Sequence, residues 1–156
     1  AEGCEGEIAI GGPSVMGGYV GDVGDQPVRD GWLRSGDLGR VDRDGYLIIT
    51  GRLKDVIIRA GENLPPHVIE AVLEQHPAVR ACCVVGVPHV DLGEVPVAFI
   101  QARPEERVSV DELKALVGAE LSRIYIPSDI RFVEAWPETS IGKVDRRALK
   151  AVLGVA

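Results

Sequence analysis

Long apolar runs are missing from this sequence. No stretch approaches the ~20 residues needed to cross a bilayer, so no membrane-spanning helix is expected. The first residues also lack the basic-then-apolar pattern of a secretory leader. Clustered basic residues are missing too. With 24 acidic against 17 basic side chains and a net charge of −7, no tract is suited to neutralising phosphates, and nucleic acid is not an expected partner. Cysteine is scarce: Cys4 and the adjacent Cys82 and Cys83 are all there is. An odd count, with two neighbours in an apolar run, makes neither a disulfide framework nor a zinc knuckle. Buried free thiols in a reducing, cytoplasmic setting are the expectation. His67, His76 and His89 lack ligand spacing, so no metal site is expected, and no Ser/His/Asp arrangement suggests a nucleophile. Lysine is limited to Lys54, Lys114, Lys143 and Lys150, against thirteen arginines, so a lysine in an unusual setting stands out.

What is present is 46% hydrophobic, enough for a real core. The first part reads as strands and turns: a weak alternation over residues 6–10, an extended stretch over 32–41, an Asp44-Gly45 turn signal, and apolar runs over 46–50 and 56–59. It is glycine-rich and shows no closed core of its own, as if torn from a larger sheet. From Pro65 the character changes. Pro65 and Pro66 suit the first turn of a helix whose apolar face is Val68, Ile69, Val72 and Leu73. Nearly continuous apolar strands follow over 79–87 and 95–102. Ser109 with Glu112 forms a capping box before the stripe Leu113, Leu116, Val117 and Leu121. A short strand over 130–133 and a helix over 146–153 close the chain. The fold class is α+β: a glycine-rich β-hairpin or sheet piece over 1–52, then a small domain over 53–156 whose short, largely antiparallel sheet is flanked by helices.

Three segments carry chemistry. In WLRSGDLGRVDRDGYLIITGR, Asp37 precedes Arg52 by fifteen residues across a hairpin. A Ser-Gly-Asp alone is an ordinary turn. A carboxylate facing a guanidinium could also accept both hydroxyls of a ribose while the guanidinium grips the same sugar. In GRLKDVIIRAGEN, Lys54-Asp55 sits where composition changes, which reads either as solvated linker or as a hinge. The loop Ala60-Gly61-Glu62-Asn63 after it is polar, and Gly61 permits close approach of a ligand. In PETSIGKVDRRALK, Lys143 follows a small, flexible Ser-Ile-Gly run and precedes a helix. That is either an exposed lysine or an ammonium presented to a phosphate-bearing transition state.

Taken together with GEIAIGGPSVMGGY (residues 6–19), these segments resemble the closing motifs of the adenylate-forming superfamily, which includes acyl-CoA synthetases, luciferases and peptide-synthetase adenylation domains. Four motifs occur in the family's order over nearly the whole chain. The resemblance implies the end of a large N-terminal domain over 1–52 and a mobile C-terminal lid over 53–156. The protein it implies joins a carboxylic acid, a fatty acid among the options, to ATP and passes the acyl group to CoA. ATP, Mg2+ and CoA are the implied cofactors, with the metal and most of the nucleotide held by a large domain outside this chain. Asp37 is similar to the family's ribose-binding aspartate, Arg52 to its supporting arginine, Lys54 to its hinge residue and Lys143 to its adenylation lysine. The Gly61 loop, with Glu62 and Arg59, is implied to line the pantetheine channel, Arg59 toward the CoA phosphates. Pro137 and Gly142-Lys143 also resemble the surroundings of acetylated lysines, which makes Lys143 an acetylation candidate.

Two departures are visible. Ile58 stands where luciferase-type enzymes carry a further lysine, and Ile124-Tyr125-Ile126-Pro127 replaces a Tyr-Lys common in relatives. The alternatives are an acyl-AMP ligase or adenylation domain delivering to a carrier protein, and a non-catalytic binding module. The phosphate loop and acyl pocket of the family are not in these residues, so the chain by itself is expected to have no ligase activity.

Overall fold

The computed structural model describes residues 3–21 and 26–154, and they divide into two units, Ala1–Lys54 and Asp55–Ala156. In the first, β3 (Trp32–Val41) is the central strand. It pairs antiparallel with β1 (Gly6–Gly11), with the two-residue β2 (Val28–Arg29) and with β4 (Leu47–Arg52). The sequence shows no signal for β2, which is too short to carry an alternation. The β3–β4 turn is organised by Asp42 as much as by the expected Asp44-Gly45. Its Oδ1 accepts from the amides of Asp44 and Tyr46, both at 2.9 Å, and Gly45 takes a φ of 84°. An aspartate bonding backbone two residues on is a local turn device. Among the described residues of this unit little is buried: Leu38 and Gly39 are, whereas Trp32, Tyr46, Leu47 and Ile49 are more than half exposed. A Cβ on Gly39 would meet Ile8 Cδ1 at 2.8 Å and the Ile48 carbonyl at 2.9 Å, so only glycine lets the three strands close there.

The second unit has a true core. β7 (Val79–His89) and β8 (Gly93–Ala102) form a long antiparallel hairpin, β9 (Asp129–Phe132) lies parallel to β8, and β5 (Ile57–Arg59) joins β8 at its start. β6 (Glu62–Leu64) pairs back onto β5. Period-2 alternation sorts the side chains of β7 and β8. Val84, Ala98 and Ile100 face one cluster with Ile69, Val72 and Leu73 of α1 (Pro66–Leu73) and Leu113 and Val117 of α2 (Val110–Glu120). Cys83, Val85, Val87, Val95, Val97 and Phe99 face a second cluster with Leu149 of α3 (Arg146–Val152). A strand covered on both faces needs apolar residues at both parities, which is why 79–87 and 95–102 read as continuous runs.

The N-terminal ends of α2 and α3 follow local chemistry. The Ser109 hydroxyl accepts from the Glu112 amide at 3.2 Å, and Glu112 Oε2 accepts from the Ser109 amide at 2.7 Å, completing the capping box. The Ser109 amide foremost, and the Ser109 hydroxyl donating to the same Oε2 at 2.9 Å, hold the Glu112 carboxyl below its ordinary value. α3 is capped by Asp145, whose Oδ1 accepts from the amides of Arg147 and Ala148.

One expectation is corrected. Residues 60–63 are no polar loop: Glu62 and Asn63 belong to β6, and the reversal is confined to Ala60 and Gly61, with φ of 52° and 85°. Two successive positive φ values give the primed hairpin turn whose twist matches that of the strands. An alanine in the left-handed region gives no sequence signal for such a turn.

Candidate functional site

Asp37 and Arg52 face each other in the β3–β4 register, and Arg52 Nε donates to Asp37 Oδ1 at 2.9 Å. Both keep exposed surface, 28% for the aspartate and 53% for the arginine side chain, so the pair adds at most about 1 kcal/mol to stability. Its value lies in orientation: one carboxylate oxygen is occupied, which leaves the other to accept from a ligand. Arg52 also lines an open cleft of about 350 Å³ together with Ser35, Gly36, Leu53 and Lys54. The strand bearing Asp37 is held by residues that the motifs did not single out. Ser35 Oγ donates to the Ile8 carbonyl at 2.8 Å and accepts from the Asp37 amide at 3.1 Å. Glu7 accepts from the Gly36 amide at 3.2 Å and from Arg34 Nε at 2.7 Å. Glu7 lies 29 residues from Gly36, and no local pattern links them.

Lys54 is exposed, in the 3-10 turn Leu53–Asp55, and is the last residue of the first unit. Asp55 opens the second unit and meets an arginine there. Arg146 Nη2 donates to Glu70 Oε1 at 2.9 Å and Nη1 to the Val84 carbonyl at 2.5 Å, with Asp55 Oδ2 at 3.8 Å from Nε. Burial works against the charge of Arg146, but Glu70 and its other negative neighbours outweigh it and hold its pKa above the ordinary value. The head of α3 is thereby tied to α1 and β7.

Lys143 precedes Arg146 by three residues and is exposed. The run before it, expected to be flexible, is a hydrogen-bonded reversal. The Thr139 amide donates to the Lys143 carbonyl at 2.7 Å, the Gly142 amide to the Thr139 carbonyl at 2.9 Å, and the Lys143 amide to Thr139 Oγ1 at 3.2 Å. Gly142 has a φ of 73°, which favours glycine there. The ammonium is thus carried at the end of a short, ordered hairpin whose other wall is Glu138, bridged to Val144.

Gly61 and Glu62 are exposed at the β5–β6 turn, and a Cβ on Gly61 would meet nothing within 4 Å. Arg59, for which the resemblance implies contact with CoA phosphates, is half-buried. Its Nη1 is already engaged, donating to the carbonyls of Ile124 at 2.5 Å and Ile126 at 3.1 Å.

The cysteines take no part. Cys83 is buried, and burial pushes its thiol up to about 11; burial, then Glu70 and Glu74, pushes Cys82 higher still. Both are protonated at neutral pH and poor nucleophiles. Among the described residues, no group of three or more His, Cys, Asp or Glu is placed to hold a metal ion, and no helix is long and apolar enough to cross a membrane.

Residues 68–143 match the AMP-binding enzyme C-terminal domain. Over 151 residues the chain is 44% identical to YngI of Bacillus subtilis, named as a candidate acyl-CoA synthetase, covering 95% of this chain and 28% of that one. Over 150 residues it is 39% identical to the fatty acid–[acyl-carrier-protein] ligase ScoC of Streptomyces coeruleorubidus, covering 95% and 29%. The solved structure of the amide bond synthetase McbA from Marinactinospora thermotolerans superposes with a TM-score of 0.90 at 36% identity, covering 98% of this chain and 31% of that one. The chain thus spans about three tenths of the length of the relatives it matches.

Proposed function

We propose, since this chain carries the C-terminal domain of the AMP-binding, adenylate-forming enzymes, that the whole protein is an acid–thiol ligase acting in two steps. A carboxylate attacks the α-phosphate of ATP, giving an acyl-adenylate and releasing pyrophosphate. The thiol of CoA then attacks the acyl carbon and expels AMP. A fatty acid is the finer proposal for the substrate, supported by the named substrate of ScoC. Mg2+ would accompany ATP and is assigned to no residue of this chain. A cytoplasmic setting belongs to the same reading, supported by three cysteines that are all free.

The observation that carries this reading is the Asp37–Arg52 pair, brought to 2.9 Å from fifteen residues apart beside a cleft that also holds Lys54. In the proposed complex the free oxygen of Asp37 accepts from the ribose hydroxyls, and Arg52 holds that carboxylate in orientation. Lys143 supplies its ammonium to the acyl carboxylate and α-phosphate, where negative charge develops during the first step. Lys54 is the hinge about which residues 53–156 move between the steps, supported by its place at the junction of two compact units. The turn at Gly61 and Glu62 then lines the thiol channel. Two reactions that need different neighbours are served by one cleft when one group leaves and another enters. Acetylation of the exposed Lys143 would erase its charge and stop the first step.

The test uses the full-length protein with Lys143→Ala. Adenylate formation, followed by pyrophosphate exchange, is expected to drop about 100- to 1,000-fold. Thioester formation from supplied acyl-adenylate is expected to stay within a few-fold of wild type. Equal losses in both steps would overturn the role of Lys143, and an aromatic acid turned over faster than any fatty acid would overturn the finer substrate. A carrier-protein acceptor is the second reading, favoured by the similarity to ScoC; acyl transfer to a carrier's phosphopantetheine with none to CoA would select it.

A further inference from the structure

We infer that Arg59 is a positioning residue for the thiol-transfer step, holding the Ala60–Gly61 turn in place through the backbone of residues 124–126, and is not a phosphate contact. This rests on the acyl-transfer reading above, in which that turn lines the thiol channel. The turn projects into open space: Ala60 and Gly61 are exposed, and a Cβ on Gly61 has no neighbour within 4 Å. A two-stranded ribbon of three-residue strands is too small to hold its own tip in place. β5 joins β8 in register at one position only, Arg59 opposite Gly93. Ile57 and Leu64 at the base of the ribbon are buried in the core, and its outer part is held by four hydrogen bonds from three residues. The Ala60 amide donates to the Leu92 carbonyl at 2.8 Å. The Ile58 amide donates to Glu94 Oε2 at 3.0 Å. Arg59 Nη1 donates to two carbonyls, those of Ile124 and Ile126.

The third support reaches furthest, across 65 and 67 residues of sequence, and ends on a firm base. Residues 123–125 form a 3-10 turn closed by the Tyr125 amide on the Ser122 carbonyl at 3.0 Å, and Ile124, Tyr125 and Ile126 pack against the core shared by α1 and α2. A guanidinium has a planar fork of donors, so one nitrogen can serve two carbonyls that a flexible ammonium would hold less firmly. Within Ile124-Tyr125-Ile126-Pro127 the backbone thus supplies the acceptors and the side chains of Ile124 and Ile126 the apolar anchors.

Bracing and phosphate contact predict opposite results. In the full-length protein, Arg59→Met keeps the apolar stem and removes the donors. Thioester formation from supplied acyl-adenylate should fall about 10- to 100-fold, as for a misplaced binding wall. The loss should be the same with CoA and with pantetheine, which has no phosphate, while pyrophosphate exchange stays at the wild-type level. Arg59→Lys should recover part of the loss. Glu94→Ala, which frees the Ile58 amide, should slow the same step; were the turn a phosphate site, removing a nearby carboxylate would instead improve CoA binding. This second variant carries the test if Arg59→Met does not fold. A loss with CoA alone, or equal losses in both half-reactions, overturns the assignment. A wild-type protein that makes adenylate but no thioester overturns the acyl-transfer reading itself. An active wild type matched by Arg59→Met overturns only the role of Arg59.

Discussion

Cys82 and Cys83 illustrate how neighbours decide the chemistry of a side chain. They are adjacent in β7, so they point to opposite faces of the sheet, Cys83 into the α3 cluster and Cys82 against the α1 cluster. Burial raises both thiols, Cys83 to about 11 from an ordinary value of 9.0. The sign of the linkage follows. A group whose pKa is raised on folding contributes stability that is intact below the unfolded value and is lost as pH rises toward the folded one. Stability should therefore hold to pH 9 and then decline between pH 9 and 11, by roughly 1 kcal/mol per pH unit for Cys83. Chemical denaturation at pH 8, 9 and 10 checks this, and Cys83→Ala should make the decline shallower, with Cys82 supplying the remainder. In the native state at pH 7.5, a maleimide should label Cys4, which is exposed, well before either of the others. Labelling of all three at one rate would contradict the burial. Asp37 makes the complementary point: it stays partly exposed beside Arg52, the condition for a carboxylate that is to accept from a ligand.

Among the elements, the β5–β6 hairpin departs most from what its residues suggest. Both turn positions have positive φ, yet the first is Ala60. For an L-residue with a Cβ, that conformation costs about 1–2 kcal/mol. Ala60→Gly removes the strain but adds freedom to the unfolded chain, so a net gain of at most about 1 kcal/mol is expected. Gly61→Ala adds the same strain at a second position and should destabilise by about 1 kcal/mol, although a Cβ there meets no atom. Thermal unfolding of the two variants should shift in opposite directions; a shift in the same direction would mean that the turn is not of the primed type. The Lys143 hairpin works differently. Its reversal is secured by Thr139, which uses both backbone groups and its hydroxyl, and by Gly142. A segment whose composition suggests only flexibility is thus ordered by hydrogen bonds among its own members.

At the scale of the whole molecule, the contrast between the two units matters most. Among the described residues, the first unit forms a sheet with little buried beyond Leu38 and Gly39, while the second closes two apolar clusters around one sheet. The isolated 156-residue chain is expected to show no acyl-adenylate formation with any carboxylic acid, measured by pyrophosphate exchange; detectable exchange by the pure chain would overturn the assignment of the remaining catalytic groups to other parts of a longer protein. Much was readable from residue order alone. The helices over 66–73 and 110–120 announce themselves through Pro66 and the Ser109–Glu112 box, because capping and periodicity are local, whereas the Asp145 cap of the helix over 146–152 emerged only from the structure. The continuous apolar runs that became β7 and β8 were equally legible, since a sheet covered on both faces writes its burial directly into composition. Asp37, Arg52, Lys54, Gly61 and Lys143 were marked by motif. Folding alone decided which of them gain partners. The 2.9 Å contact of Asp37 with Arg52 needs the β3–β4 register, the support of Gly36 needs Glu7 from another strand, and Arg59 is committed by carbonyls 65 and 67 residues away. Side-chain hydrogen bonds are short-ranged in space and blind to separation along the chain. A linear reading can therefore nominate the groups, but only the closed sheet determines what each one touches.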